Sequence, residues 1–232
     1  DKITGELIWK SASPGGMRSY TSPVLFRNDT INQIIGITSR QVFAVDAGTG
    51  KIEWQYDLSG RIAEIKNEKP GDNIYVNSPI IKDNQIYISQ GYDNISVMLE
   101  YTGDAKGVKE LWIDRTLDCH IHGVVEIDGY IYGSNWYNNR DGRWVCLEWE
   151  SGEVRYVSKW NGKGATISAN GMMYLYDEKK GHVGLAKPNT EGLEIVSTFE
   201  VDFGNRQHWA HPFIGDGKLF IRHGESIGIY NL

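Results

Sequence analysis

Four short turn pairs recur along the chain at a nearly fixed spacing, and no other feature narrows the fold as much. Asp83-Asn84 precedes QIYIS, Asp128-Gly129 precedes YIYGS, Asn170-Gly171 precedes MMYLY, and Asp216-Gly217 precedes KLFIR, at separations of 45, 42 and 46 residues. Asn or Asp followed by Gly tolerates the positive φ of a two-residue hairpin. A second marker runs in phase: Thr4-Gly5 leads to Trp9, Thr49-Gly50 to Trp54, Gly107 to Trp112 and Ser151-Gly152 to Tyr156. A period in this range with several strands per unit marks a propeller blade.

Each unit then holds four antiparallel strands, A to D. In the third unit these fall at 121–127, 130–135, 144–148 and 153–158, joined by short turns. The other A strands start near Ser22-Pro23, Ser78-Pro79, Ala165 and His211-Pro212. The expectation is an all-β protein, a β-propeller of four-stranded antiparallel blades, about five in this chain. They span residues 11–58, 75–115, 120–160, 164–203 and 208–232, with residues 3–10 as the strand that would complete the last. An extra stretch, RIAEIKNEKPGDN, lengthens the connection between the first two units, and no helix-length periodicity stands out.

The segment Ala44-Val45-Asp46-Ala47-Gly48-Thr49-Gly50-Lys51-Ile52-Glu53-Trp54 resembles the tryptophan-docking repeat of the pyrroloquinoline-quinone (PQQ) type propellers, A-x-D-x-x-T-G-K-x-x-W. Asp1 to Trp9 repeats the motif from its Asp onward, and the ending HWAHPFIGDGKLFIRHGESIGIYNL resembles a last blade of bacterial PQQ-like repeat proteins. Such proteins usually have seven or eight blades. The resemblance therefore implies that the chain is the C-terminal five blades of a larger bacterial propeller, the alternative being a five-bladed ring. It also implies structural docking roles for Trp9, Ala44, Asp46, Thr49, Gly50, Trp54 and Trp112. Relatives include quinoprotein alcohol dehydrogenases and the propeller subunit of the outer-membrane β-barrel assembly machinery.

Charge narrows the partners. Lys and Arg total 24 against 30 Asp and Glu, a net charge of −6, which argues against nucleic acid as the main ligand. No apolar run is long enough to span a bilayer. Cys119 and Cys146 are too few for a disulfide scaffold, and whether they pair stays open. Family dehydrogenases stack their quinone on an adjacent, disulfide-linked cysteine pair; here the two cysteines lie 27 residues apart, so no cofactor is assigned, although PQQ is the one the family would bring.

Candidate binding residues come from the loops. On the four-strand scheme all six histidines map to the D-to-A and B-to-C end: His120, His122, His208 and His211 at entries to A strands, His182 and His223 beside B-to-C loops. Trp136, Trp209, Arg143 and Arg222 join them, Trp136 opening the insertion WYNNRDGR. Imidazoles and aromatics at a loop face suit a ligand. His120-x-His122 in a strand would put both rings on one side, a weak metal signal. The reading favours a non-catalytic, extracytoplasmic bacterial propeller, periplasmic or secreted or surface-anchored, and monomeric, that binds a protein or a carbohydrate through this face. The alternative is a PQQ- or metal-dependent oxidoreductase or lyase at the mouth of the central channel.

Overall fold

The computed structural model describes residues 1–104 and 107–232. Among them the strands form five antiparallel sheets, each built in chain order. The first comprises β1 (Val24–Arg27), β2 (Asn32–Ile37), β3 (Gln41–Asp46) and β4 (Ile52–Asp57). A helix, α1 (Leu58–Lys66), follows. The second sheet holds β5 (Ile80–Lys82), β6 (Gln85–Ile88), β7 (Ser96–Tyr101) and β8 (Val108–Asp114). The third holds β9 (Val124–Ile127), β10 (Tyr130–Ser134), β11 (Trp144–Glu148) and β12 (Val154–Ser158). The fourth is β13 (Gly164–Ala169), β14 (Met172–Asp177), β15 (His182–Lys187) and β16 (Glu194–Glu200). The fifth has three strands, β17 (Phe213–Gly215), β18 (Lys218–His223) and β19 (Ser226–Asn231). Residues 3–10, expected as its outer strand, carry no strand of their own.

The repeated turns behave as their residues dictate. Asp83, Asp128, Asn170 and Asp216 all take positive φ between 50 and 54°, and Gly129, Gly171 and Gly217 follow at 67 to 85°. Two successive positive-φ residues give the hairpin twist that suits paired strands. Three sheets also share a bulge in the C-to-D pair, at Ala44/Val45, Cys146/Leu147 and Leu185/Ala186, which sharpens the twist of the outer strand.

The helix corrects the sequence reading, which saw no helical stretch. Asp57 caps it by accepting the Gly60 N–H, Asn67 closes it in the left-handed region, and Leu58, Ile62 and Ala63 are its buried face. Spacing of i, i+4, i+5 over nine residues is too brief to stand out beside the strand alternation around it.

Two compact units divide the chain: residues 1–88 with 97–111, and residues 89–96 with 112–232. In the first, Asp46 Oδ1 accepts the Gly48 and Thr49 N–H groups and the Thr49 hydroxyl, at 3.2, 2.7 and 2.7 Å, and so locks the turn before β4. Trp9 lies over Gly50 and donates its indole N–H to Ala47 O. Trp54, buried opposite Ala44, lies over Gly107, where an added Cβ would meet its own Cβ at 2.1 Å, and donates to Gln33 Oε1 at 3.0 Å. In the second unit Trp112 lies over Gly152 and donates to Trp149 O.

The core of the second unit shows strand alternation at work. Met173 and Leu175 of β14 pack with Tyr132, Trp144, Cys146 and Tyr156 of the third sheet. Tyr176, the next residue along, turns the other way, joining Ala165, Val183, Leu219 and Ile221. Cys119 and Cys146 are buried free thiols, and burial pushes the Cys146 thiol up to about 11.

Candidate functional site

The residues between β8 and β9 do not extend the A strand as expected. Strand β9 begins at Val124, so His120 and His122 sit in an irregular segment rather than on one side of a strand. Their rings stand 6.4 Å apart and nearly perpendicular, at 87°. His122 is only 1% exposed and its Nε2 donates to Glu178 Oε2 at 2.7 Å. The other carboxylate oxygen of Glu178 takes the ammonium of Lys163, itself 1% exposed. Burial alone would raise the Glu178 carboxyl, but the hydrogen bonds from His122 and Lys163 outweigh it and hold it below its ordinary value. His122 is pushed down by burial despite its carboxylate partner.

Glycines let this buried pair form. Lys163 lies between Gly162 and Gly164, and a Cβ on Gly164 would meet Tyr176 O at 1.9 Å, so β13 and β14 approach as only glycine allows. The sequence reading missed Lys163 and Glu178. The signal that was there is a lysine flanked by glycines at the start of an apolar strand.

From Glu178 the network continues. The backbone N–H of His208 donates to Glu178 O at 3.3 Å, and the His208 ring lies over Gly181, whose added Cβ would meet it at 2.4 Å. Tyr176 Oη and His208 Nδ1 share a hydrogen bond of 2.6 Å. His208 stacks on His223 with ring centroids 3.6 Å apart, and burial followed by that neighbour holds it below the ordinary histidine value. His223 faces carbonyl oxygens with both nitrogens, Phe203 O at 2.5 Å and Arg206 O at 2.8 Å. His211 donates to Ile121 O at 3.1 Å, and His182 stands 3.5 Å from Asp177. His122, Glu178, His208 and His223 thus form one connected network in the second unit, with His120 packed against His122. Asp177 and His223 are buried.

Beside His120 is an aromatic cluster. Tyr92 packs on His120 edge to face at 4.5 Å and on Trp136 at 5.5 Å. Burial, with Lys163 and His122 adding to it, pushes His120 down to about 4. Tyr92 and Asp93 both take positive φ, 67 and 56°, which is strained for a tyrosine, and a Cβ on Gly91 would strike His120 Cα at 2.6 Å. Trp136 is held by two bonds: its N–H donates to Asp118 Oδ1 at 3.0 Å and its indole to Asn139 Oδ1 at 3.2 Å. Asp118 Oδ2 accepts the Asp93 N–H at 3.1 Å. Burial of Asp118 lifts its carboxyl to about 7 against those two bonds. Next to it opens a pocket of about 630 Å³ lined by Asp93, Arg115, Thr116, Asp118, Trp136 and Tyr137, with Asn135.

Arg143 does not reach into solvent as a free cation. It bonds Asp141 Oδ1 at 2.8 Å and Gly142 O at 2.7 Å, and covers the Tyr137 ring at 4.9 Å. Arg222 bonds Gly224 O at 2.9 Å and is exposed, as is Trp209 at 53%. Another pocket, about 420 Å³, lies in the first unit around Met17, Tyr20 and Tyr75.

A family model described as outer membrane protein assembly factor BamB, a PQQ-type repeat, matches residues 1–118. The chain belongs to this family. The crystal structure of BamB from Moraxella catarrhalis superposes with a TM-score of 0.68 at 17% identity, covering 98% of this chain and 64% of that one. The chain thus has the β-propeller fold of BamB and spans less than two thirds of that protein's length. A europium-containing methanol dehydrogenase matches 54% of this chain and 24% of its own at 17% identity and a TM-score of 0.43. The computationally designed Ika4 protein matches 80% and 100% at 13% identity and 0.48. No curated protein matches the sequence.

The residues present do not fit the quinone that some PQQ-type propellers carry. Cys119 lies in the irregular segment before β9 and Cys146 in β11, and the two form no disulfide. Among the described residues no three His, Cys, Asp or Glu side chains are placed to hold the accompanying cation, the pair His120 and His122 included.

Proposed function

We propose that the chain is part of a non-catalytic binding scaffold that works outside the cytoplasm and holds a protein partner through the histidine and tryptophan loops of its second unit. One observation carries this reading. Three of the histidines that could do acid-base chemistry are spent on internal bonds: His122 on Glu178, His208 on Tyr176 and His223 on two carbonyls. The aromatic side chains of the neighbouring loops, Trp209 and Tyr137, are instead exposed. Rigid loops with outward aromatics are anchors for a partner, not a reaction centre. The BamB family name supports a partner from the outer-membrane protein assembly machinery and an envelope location. No helix among the described residues is long and apolar enough to cross a membrane.

The test is co-elution and titration of the purified chain against the separate subunits of that machinery from the same organism. One subunit is expected to bind, and Trp209→Ala to weaken it by about tenfold or more, the scale of an interface anchor. Binding to none of them counts against the partner. Uptake of PQQ with a divalent cation, followed by turnover of an alcohol, would restore the oxidoreductase reading.

A further inference from the structure

We propose that the pocket beside Asp118 binds a sugar ring of a neutral saccharide, seated against Trp136 and hydrogen-bonded by Asp118, Asp93 and Arg115. This site shares the Tyr137 loop with the protein-docking reading but does not depend on it.

Size comes first. At about 630 Å³ the pocket lies within the range of small-molecule sites and takes one or two sugar rings. The wall is built rather than accidental. Trp136 is pinned at both its backbone and its indole nitrogen, and backed by Tyr92 and His120, so its ring is presented with little freedom to lose on binding. The loop that supplies Tyr92 and Asp93 is forced into two consecutive left-handed residues, and the strain falls at the pocket wall, where such strain tends to serve a ligand.

Hydrogen-bonding chemistry then selects the ligand. Asp118 is 4% exposed, and each of its oxygens already accepts one backbone N–H. An ionised carboxylate has about four lone-pair sites, so acceptor capacity remains. Among the described residues it forms no ion pair; a desolvated carboxyl in that state gains from a polar ligand. Arg115 adds a donor of opposite sign on the same wall and Thr116 a hydroxyl. With both carboxyls ionised the wall carries one negative charge in excess of the guanidinium, which disfavours an anionic guest. A polyol offers donors and acceptors around its edge and an apolar C–H face for the indole, and that mixture matches the wall. A lysine or arginine side chain would also suit the aromatic and carboxyl groups, but it would meet Arg115.

The experiment titrates the chain with cellobiose, maltose, chitobiose and, separately, trilysine, by calorimetry and by ligand-observed NMR. At least one disaccharide is expected to bind with a Kd of about 1 mM or tighter. Asp118→Asn and Arg115→Ala should each weaken it about tenfold, the worth of one charged hydrogen bond. Trp136→Ala should abolish it, and Trp209→Ala should leave it unchanged. Because Asp118 supports backbone groups, Arg115→Ala at an exposed position decides the matter if Asp118→Asn unfolds. No disaccharide binding at about 10 mM, or binding indifferent to Trp136→Ala and Arg115→Ala, overturns the proposal. Trilysine binding that is lost in Asp118→Asn, with no sugar bound, assigns the pocket to a basic side chain instead. Saccharide binding without any protein partner would leave this site standing while the scaffold reading fails, and the reverse result would do the opposite.

Discussion

The two ends of the blades solve one packing problem with different chemistry. At the C-to-D end a ring closes over a turn glycine three times, Trp9 on Gly50, Trp54 on Gly107 and Trp112 on Gly152. At the B-to-C end a ring again closes over a turn glycine, but the ring is His208 and the glycine is Gly181. Indole cannot change its charge, whereas imidazole can. One end is therefore held by apolar burial at any pH, and the other by a hydrogen-bonded network whose members titrate.

The comparison breaks most visibly where a ring is removed. Trp54→Ala should cost about 3–5 kcal/mol, the usual penalty for truncating a buried aromatic, read as a lowered urea midpoint. The cost should be the same at pH 5 and pH 8; a strong pH dependence would erase the distinction between the ends. At the other end, Glu178→Ala strands the buried Lys163 ammonium and should cost about 3 kcal/mol or more. Exchanging both charges, in Lys163→Met with Glu178→Leu, should recover part of that loss, since the pair's desolvation cost goes with it. No recovery in the double variant would show that the pair does more than neutralise itself.

The pH profile gives a smaller effect with a defined sign. His120 is pushed down to about 4, and His122 and His208 are also lowered from the ordinary histidine value near 6.5. Between those values the unfolded chain binds more protons than the folded one. Stability from these groups is thus full above pH 6.5 and is lost as pH falls toward 4. Asp118, lifted to about 7, works in the opposite direction, its contribution full below the ordinary aspartate range and lost as pH rises through 7. In Asp118→Asn the opposing part is gone, and unfolding free energy should drop by on the order of 2 kcal/mol from pH 7 to pH 5. A flat profile in that variant would mean the histidines are not buried as neutral rings. The smallest effect is expected at the exposed ring: Trp209→Ala should shift stability by no more than about 0.5 kcal/mol.

What was legible in the sequence follows from the range of the interaction. The hairpin turns are local: Asp128-Gly129 and Asn170-Gly171 carry their own φ requirement, so the four-strand blade could be read from them directly. The docking turn is local too, with Asp46 and Thr49 three residues apart. Lys163 and Glu178 were not legible, because a charged residue in Asn-Gly-Lys-Gly or Asp-Glu-Lys-Lys reads as a solvated turn until the fold brings His122 to the carboxylate from 56 residues away. The strand expected at 121–127 began late for a related reason. Asp118, Cys119 and His122 each bond partners outside the segment, so its backbone follows those contacts rather than a sheet ladder. The helix after β4 escaped because one short amphipathic turn pair carries too little periodicity to be heard.

The burial of the docking rings has an optical consequence. Of the eight tryptophans, Trp209 is the one that stands exposed, while Trp54, Trp144 and Trp149 are shielded almost completely. An aqueous quencher such as iodide should extinguish the red, solvent-relaxed part of the emission first. The light lost would come from the proposed docking face, so protection from quenching would report occupancy of that face without any label.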